Sequence, residues 1–234
     1  QLPQVSQGTH PEPIDRSALG WVAAGHDVLP REFGYFLAES RRMHPAVARP
    51  VSRLSYEGAL RSHPSAADRL LDGLEPGLHR EPVVHSGNAT ESPEEAERVV
   101  AIVNSVVGLH WRSSPDAAGR PLEPADVIVV TPYNAQLALV RSALDQAGLP
   151  EVRVGTVDKF QGQEAAIAIV SLAASSAADV PRGMEFLIMK NRLNVAISRA
   201  QWAAFLVYSP ELTEYLPITP QGVAELSAFI RLVE

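Results

Sequence analysis

Residues 190–200 read Lys190-Asn191-Arg192-Leu193-Asn194-Val195-Ala196-Ile197-Ser198-Arg199-Ala200, and their spacing predicts an amphipathic helix. Leu193, Ala196, Ile197 and Ala200 can face a core, while Arg192 and Arg199, seven residues apart, project from a common face two turns apart. A guanidinium keeps its charge and forms paired hydrogen bonds with phosphoryl oxygens, so arginines held this way suit phosphate chemistry. The same pattern fits a surface helix whose arginines merely pair with acids. The neighbouring segments have to decide between the two.

Strands flank this helix. Short apolar runs at residues 126–130, 152–157, 166–172 and 203–207 predict strands, the first of them a β-branched run that reads as covered on both faces. Thr131-Pro132 is expected to start a helix with Leu137, Val140 and Leu144 inside, ended by Gly148 and Pro150. Upstream, Ser92-Pro93-Glu94-Glu95 combines an N-cap serine, proline at the first helical position and a glutamate three residues after the cap. Ala96, Val99, Val100, Val103, Val106 and Val107 then follow the helical period. Further strands are expected at 33–38 and 82–85, an amphipathic helix carries Val47, Val51 and Leu54, and a short helix is expected near 17–24. Residues 1–13 read as a loop or linker, 57–82 as irregular and 112–125 as an exposed loop.

This alternation predicts an α/β sandwich with a mostly parallel sheet. Ligands in such folds meet loops at the carboxyl ends of the strands. Residues 39–42, 131–134 and 156–163 lie just beyond predicted strand ends and are therefore expected on one edge of the sheet.

A chain of 234 residues, 46% hydrophobic and 20% charged, has ordinary globular composition for one main core. The net charge of −7 and pI near 5.5 argue against binding nucleic acid through bulk charge, so such contact must come from a local track. No apolar run approaches a membrane span and no signal-peptide pattern opens the chain, so a cytoplasmic protein without membrane contact is expected. The absence of cysteine excludes disulfides and thiolate metal sites. His10, His26, His63 and His79 show no ligand spacing, and no metal site is expected. The opening at Gln1-Leu2-Pro3, without methionine, suggests a piece of something longer.

Three polar clusters each admit two readings. Arg41-Arg42-Met43-His44-Pro45 offers a second arginine to a phosphate, or is a loop in which Met43 packs and His44 precedes a helix-starting proline. Thr131-Pro132-Tyr133-Asn134-Ala135-Gln136 offers a hydroxyl and helix-start amides to a phosphate backbone, with Tyr133 for stacking, or is an ordinary N-cap. Residues 155–164 pack two glycines, a hydroxyl, amides and both charge signs between strands, more than a plain connection needs.

Taken in order, Arg-Arg-Met-His-Pro (41–45), Thr-Pro-Tyr-Asn-Ala-Gln (131–136), Val-Gly-Thr-Val-Asp-Lys-Phe-Gln-Gly-Gln-Glu (154–164) and Arg-Leu-Asn-Val-Ala-Ile-Ser-Arg-Ala (192–200) closely resemble the second RecA-like domain of superfamily 1 helicases. The nearest branch is 1B, which includes the nonsense-mediated-decay RNA helicase and its DNA-helicase relatives. The resemblance implies a three-layer α/β RecA-like domain over residues 31–216, preceded at 1–30 by a motif III tail and linker and followed at 217–234 by a C-terminal helix. It implies that Gln1 senses the γ-phosphate of ATP and that Arg42 and Arg199 are arginine fingers reaching across an interdomain cleft. Gly162 would lie near the phosphates and Glu164 near the ribose, with Arg41, Gln161 and Arg192 also facing the nucleotide. Thr131, Pro132, Tyr133, Thr156 and Val157 would meet the backbone of single-stranded DNA or RNA.

One departure stands out. The family's Gln-Tyr before the first arginine is Ser40-Arg41 here, so a tyrosine that stacks on adenine is replaced by an arginine that can lie flat on the base. No Gly-x-x-x-x-Gly-Lys-Ser/Thr loop occurs in the chain. ATP and Mg²⁺ would therefore be bound mainly by an N-terminal RecA-like lobe outside this sequence, and this piece alone is expected not to hydrolyse ATP. The implied whole is an ATP-dependent helicase, with 5′ to 3′ polarity by analogy. The alternative is a non-catalytic RecA-like interaction module.

Overall fold

The apolar runs pair side by side. The computed structural model describes residues 22, 26–160 and 162–234, so the linker expected at 1–13, most of the helix expected at 17–24, Gln1 and Gln161 lie outside the described residues. In chain order the elements are β1 (Glu39–Ser40), α1 (Pro45–Ser55), β2 (Arg61–Ser62), α2 (Pro64–Ala67), β3 (Leu70–Leu71), β4 (Gly77–Pro82), α3 (Pro93–Val106), β5 (His110–Arg112) and β6 (Arg120–Pro121). There follow β7 (Val127–Thr131), α4 (Asn134–Gln146), β8 (Arg153–Thr156), β9 (Ala165–Ser171), α5 (Met184–Ile188), α6 (Lys190–Ile197), β10 (Ala200–Tyr208) and α7 (Pro220–Val233).

A five-stranded parallel sheet runs in the order β4-β10-β9-β7-β8. Every residue of β7 and β9 is buried, as it must be when helices cover both faces. Alternation sorts the side chains: Ile128 and Val130 pack on one side with Val47 and Val51 of α1, Ile197 of α6 and Phe229 of α7. Val127 and Val129 pack on the other with Val99 and Val103 of α3 and Val140 and Leu144 of α4. Each inner face is sealed by two or more helices, which gives the three-layer α/β, RecA-like arrangement.

Ser92 caps α3 as expected, its Oγ accepting the Glu95 N–H at 3.1 Å. Glu95 does not reach back to complete a capping box. The Ser92 N–H instead donates to Gln136 Oε1 at 2.7 Å, and the Glu95 carboxylate turns inward.

Five expectations are corrected, the first being the strand at 82–85, which is absent because β4 ends at Pro82. Residues 33–38 form no strand; Phe33, Tyr35 and Leu37 are exposed, and pairing begins only at β1, which lies parallel to β2. The stretch expected to be irregular contains β4, paired with β10 from Gly77 opposite Ala203 to Pro82 opposite Tyr208. Its Gly-Leu-His-Arg-Glu-Pro composition is poor for a strand, but at the sheet edge proline is tolerated, and His79 stacks on Phe205 at 4.7 Å. The expected loop at 112–125 begins at the last residue of β5 and contains β6, and these two join β3 in a small antiparallel sheet around buried Trp111. Finally, α6 ends at Ile197, so Arg199 leads into β10 and shares no helix face with Arg192.

Candidate functional site

In this parallel sheet the polar groups divide between opposite edges. Thr131 and Thr156 end β7 and β8, whereas Glu164 and Arg199 immediately precede β9 and β10. Arg42 joins the second group, held because the neighbouring His44 N–H donates to Gln201 O at 2.8 Å. A single edge was expected; a parallel crossover must instead return to the edge where the previous strand began. Residues 157–160 and 162–164 make that return, anchored by buried Phe160.

At the amino edge two arginines sit together. Arg42 Nε donates to Glu164 Oε2 at 2.7 Å and its Nη1 to Ser198 O at 3.2 Å. Arg199, only 6% exposed, donates from Nη1 to Gln163 O at 3.2 Å, and its Nε is buried without a partner. Burial, and then the charge of Arg42, lower the Arg199 pKa. Two cations placed this closely, one with an orphaned donor, fit an anionic ligand better than they fit each other. Gly162 stands two residues before Glu164 with φ +83, and nothing lies within 4 Å of where its Cβ would be. The glycine is required by backbone conformation and not by space.

Glu164 is occupied on both oxygens, by Arg42 and by the Gln201 amide at 2.9 Å. Burial would raise its pKa, but those bonds and the charges of Arg42 and Arg69 hold the carboxyl below its usual range. It therefore anchors the first arginine and is not an open acceptor. Arg41 is exposed and lines, with Arg42, Glu164, Ser198 and Tyr35, an open cavity of about 960 Å³. Arg69 was not anticipated: it donates to the carbonyls of Arg41 and Arg42 and fixes the backbone that presents them. It falls in the stretch that shows no period, so only a pairing partner could have revealed it.

His44 caps α1 with its Nδ1, which accepts the Ala46 N–H at 3.2 Å. Burial, and then the Arg69 charge, lower its pKa from 6.5, as suits a ring whose neutral form is the acceptor. The unfolded chain thus binds more protons just below pH 6.5, so the stability from this cap is complete above that value and is lost as pH falls through the lowered folded pKa. Because the ring is partly solvated, the loss should be no more than about 1 kcal/mol. Thermal melts between pH 5 and 8 should show this component in the wild type, and His44→Asn, which caps without titrating, should remove it.

The carboxyl edge differs from expectation in detail. The Thr131 hydroxyl is buried and donates to Tyr133 O at 3.0 Å, and Tyr133 caps α4, so the helix starts at Asn134. Tyr133 is 8% exposed with its ring 6.0 Å from that of Phe186, and it is not open to stack on a base. Val157 is also a core side chain. Pro132 and Thr156 remain partly exposed. Arg192 comes to this edge: its guanidinium lies 4.4 Å from the Phe186 ring centre and it lines a small cavity with Thr131, Pro132 and Val157. It joins Thr131, Pro132 and Val157 at the carboxyl edge and not Arg42 and Arg199 at the amino edge. Among the described residues there is no cluster suited to a metal ion, and no helix is long and apolar enough to cross a membrane.

Comparison with known proteins gives a consistent set of relatives. A family model described as an AAA domain matches residues 22–211. The chain is 37% identical over 177 residues to DNA polymerase alpha-associated DNA helicase A of Schizosaccharomyces pombe, covering 70% of this chain and 26% of that protein. It is 29% identical over 190 residues to the regulator of nonsense transcripts 1 homolog of Neurospora crassa, covering 73% and 16% respectively. To DNA-binding protein SMUBP-2 of Rattus norvegicus it is 33% identical over 176 residues, covering 70% and 17%. The chain thus spans about a quarter or less of the relatives it matches.

Proposed function

The chain belongs to the AAA domain family, as the second RecA-like lobe of a superfamily 1 helicase, and from that premise we propose that it supplies two arginine fingers to ATP held with Mg²⁺ by a first lobe of its parent protein. The observation that carries this is the pairing of Arg42 with nearly buried, under-bonded Arg199 on one edge of the sheet. Bound there, ATP supplies the phosphoryl group that is transferred to water. Arg42 and Arg199 offset charge on its phosphates, Gly162 holds the left-handed turn that leads into Glu164, and Arg41 lies against the base. Gln1 and Gln161 take the nucleotide-facing roles the motif order implies.

The same reading gives Thr156, Pro132 and Arg192 to the backbone of single-stranded DNA or RNA, with Thr131, Tyr133 and Val157 shaping that edge from beneath. The connection at 157–164 links the two edges directly. Movement of Gln163 and Glu164 when the arginines close on phosphate is then felt at Thr156, which is how turnover would step the lobe along a strand. A cytoplasmic, 5′ to 3′ helicase is the corresponding whole. A pure interaction module has no use for two guanidiniums held side by side, one of them nearly buried, whose desolvation and mutual repulsion are costs without an anionic ligand.

The test is made on the full-length parent. Single-strand-stimulated ATP hydrolysis and displacement of a strand from tailed DNA or RNA duplexes are expected. A parent that binds single strands yet shows no stimulated hydrolysis would overturn the proposal.

A further inference from the structure

Away from both edges, five arginines gather where α1 meets β2, β4 and α7. Arg49 and Arg53 stand one turn apart on α1 and, with Arg80 and Arg231, line an open cavity of about 430 Å³. The same two arginines also line an adjoining cavity of about 280 Å³ together with Arg61, which carries the basic lining of the groove past Arg49 and Arg53. All five side chains belong to exposed residues, and none is paired with an acid among the described residues. Among the described residues, the only acid on the groove's walls is Glu234. Arg80 Nε donates to Leu232 O at 2.9 Å and Arg231 Nη1 to Ser227 Oγ at 3.0 Å, which orients both guanidiniums while leaving most of their five donors unbonded. The carboxyl end of α7 contributes roughly half a negative charge, too little to balance this many cations.

In a chain of net charge −7, such a concentration of unpaired cations is the local track that overall composition does not provide. Every one is arginine, whose fork matches phosphoryl oxygens, and two neighbouring cavities that share Arg49 and Arg53 suit a repeating anion better than a single one. We propose that this groove binds the phosphate backbone of a nucleic acid, as a second contact separate from the Thr156 edge.

Fluorescence anisotropy of a labelled oligonucleotide, single-stranded and duplex, tests this on the chain at salt from about 50 to 200 mM. Arg49→Gln/Arg53→Gln and Arg80→Gln/Arg231→Gln should each weaken binding by roughly tenfold at the low-salt end and reduce the slope of log affinity against log salt by about 1 to 2. The arm, single strand or duplex, that loses more identifies the form bound. Arg120→Gln, which removes a cation already paired with Asp126 outside the groove, should leave the slope unchanged. Retention of affinity and slope by both double variants overturns the proposal. So does a polyglutamate peptide whose binding the double variants lose while oligonucleotide binding is unmoved.

Discussion

Arg199→Ala, made in the parent protein, is expected to lower ATP turnover by roughly a thousandfold or more while strand binding is retained. A thousandfold corresponds to about 4 kcal/mol of barrier, which an exposed arginine in water could not supply. Arg199 can, because it is 6% exposed, tethered through Nη1 to Gln163 O, and short of a partner at Nε. Its charge is aimed in advance and little of it is spent on other groups. Arg199→Lys should fail nearly as badly, since an ammonium lacks the fork that reaches two phosphoryl oxygens while holding Gln163. The loss should fall on kcat and not on KM, because a finger acts on charge that develops during transfer. A variant with wild-type kcat would remove Arg199 from the mechanism. Arg42 is a less clean probe, as its removal also frees Glu164 and the Ser198 carbonyl.

The outcome also bears on what could be read from residues alone. The centre of the sheet was legible because β7 and β9 are unbroken apolar runs that no other placement would bury. β4 was not, because its stability comes from pairing with β10 and the His79 stack, neither of which leaves a periodic trace. The partnership of Arg42 with Arg199 was legible only through the order of motifs; helical spacing pointed to Arg192 instead, and that inference failed where α6 stops at Ile197. Tyr133 looked like a stacking residue because an aromatic beside polar groups reads the same whether its ring faces solvent or Phe186. Arg69 and Gln201, which hold the site's backbone and carboxylate, act through contacts distant in the chain.

Glu95→Ala is expected to destabilise the chain by about 3–5 kcal/mol, the cost of removing one partner from a buried charged cluster. Glu95 is fully buried; its Oε2 accepts the Ser171 hydroxyl at 2.6 Å and the Ala173 N–H at 3.0 Å, and its Oε1 lies 3.2 Å from His85 Nε2. His85 in turn meets Ser175 Oγ at 2.7 Å, and Gln136 links Ser171 to the Ser92 amide. One carboxylate thereby ties the start of α3 to the end of β9 and, through Gln136, to the first turn of α4. Alanine leaves the Ala173 N–H and two side chains without acceptors and opens a void beside them, so both penalties fall together. For a chain of this size the melting temperature should drop by roughly 6–20 °C. Glu95→Gln separates charge from shape. Its carbonyl can keep the bonds from Ser171 and Ala173, but its amide then faces the His85 Nε2–H, because the Asn88 amide already takes His85 Nδ1 as its acceptor, so it should cost about 1–3 kcal/mol, less than alanine because it leaves no void. A loss as large as that of alanine would mean that the carboxylate's acceptors, and not the filled volume, carry the effect. An alanine variant melting with the wild type would show that Glu95 does not hold these three elements together.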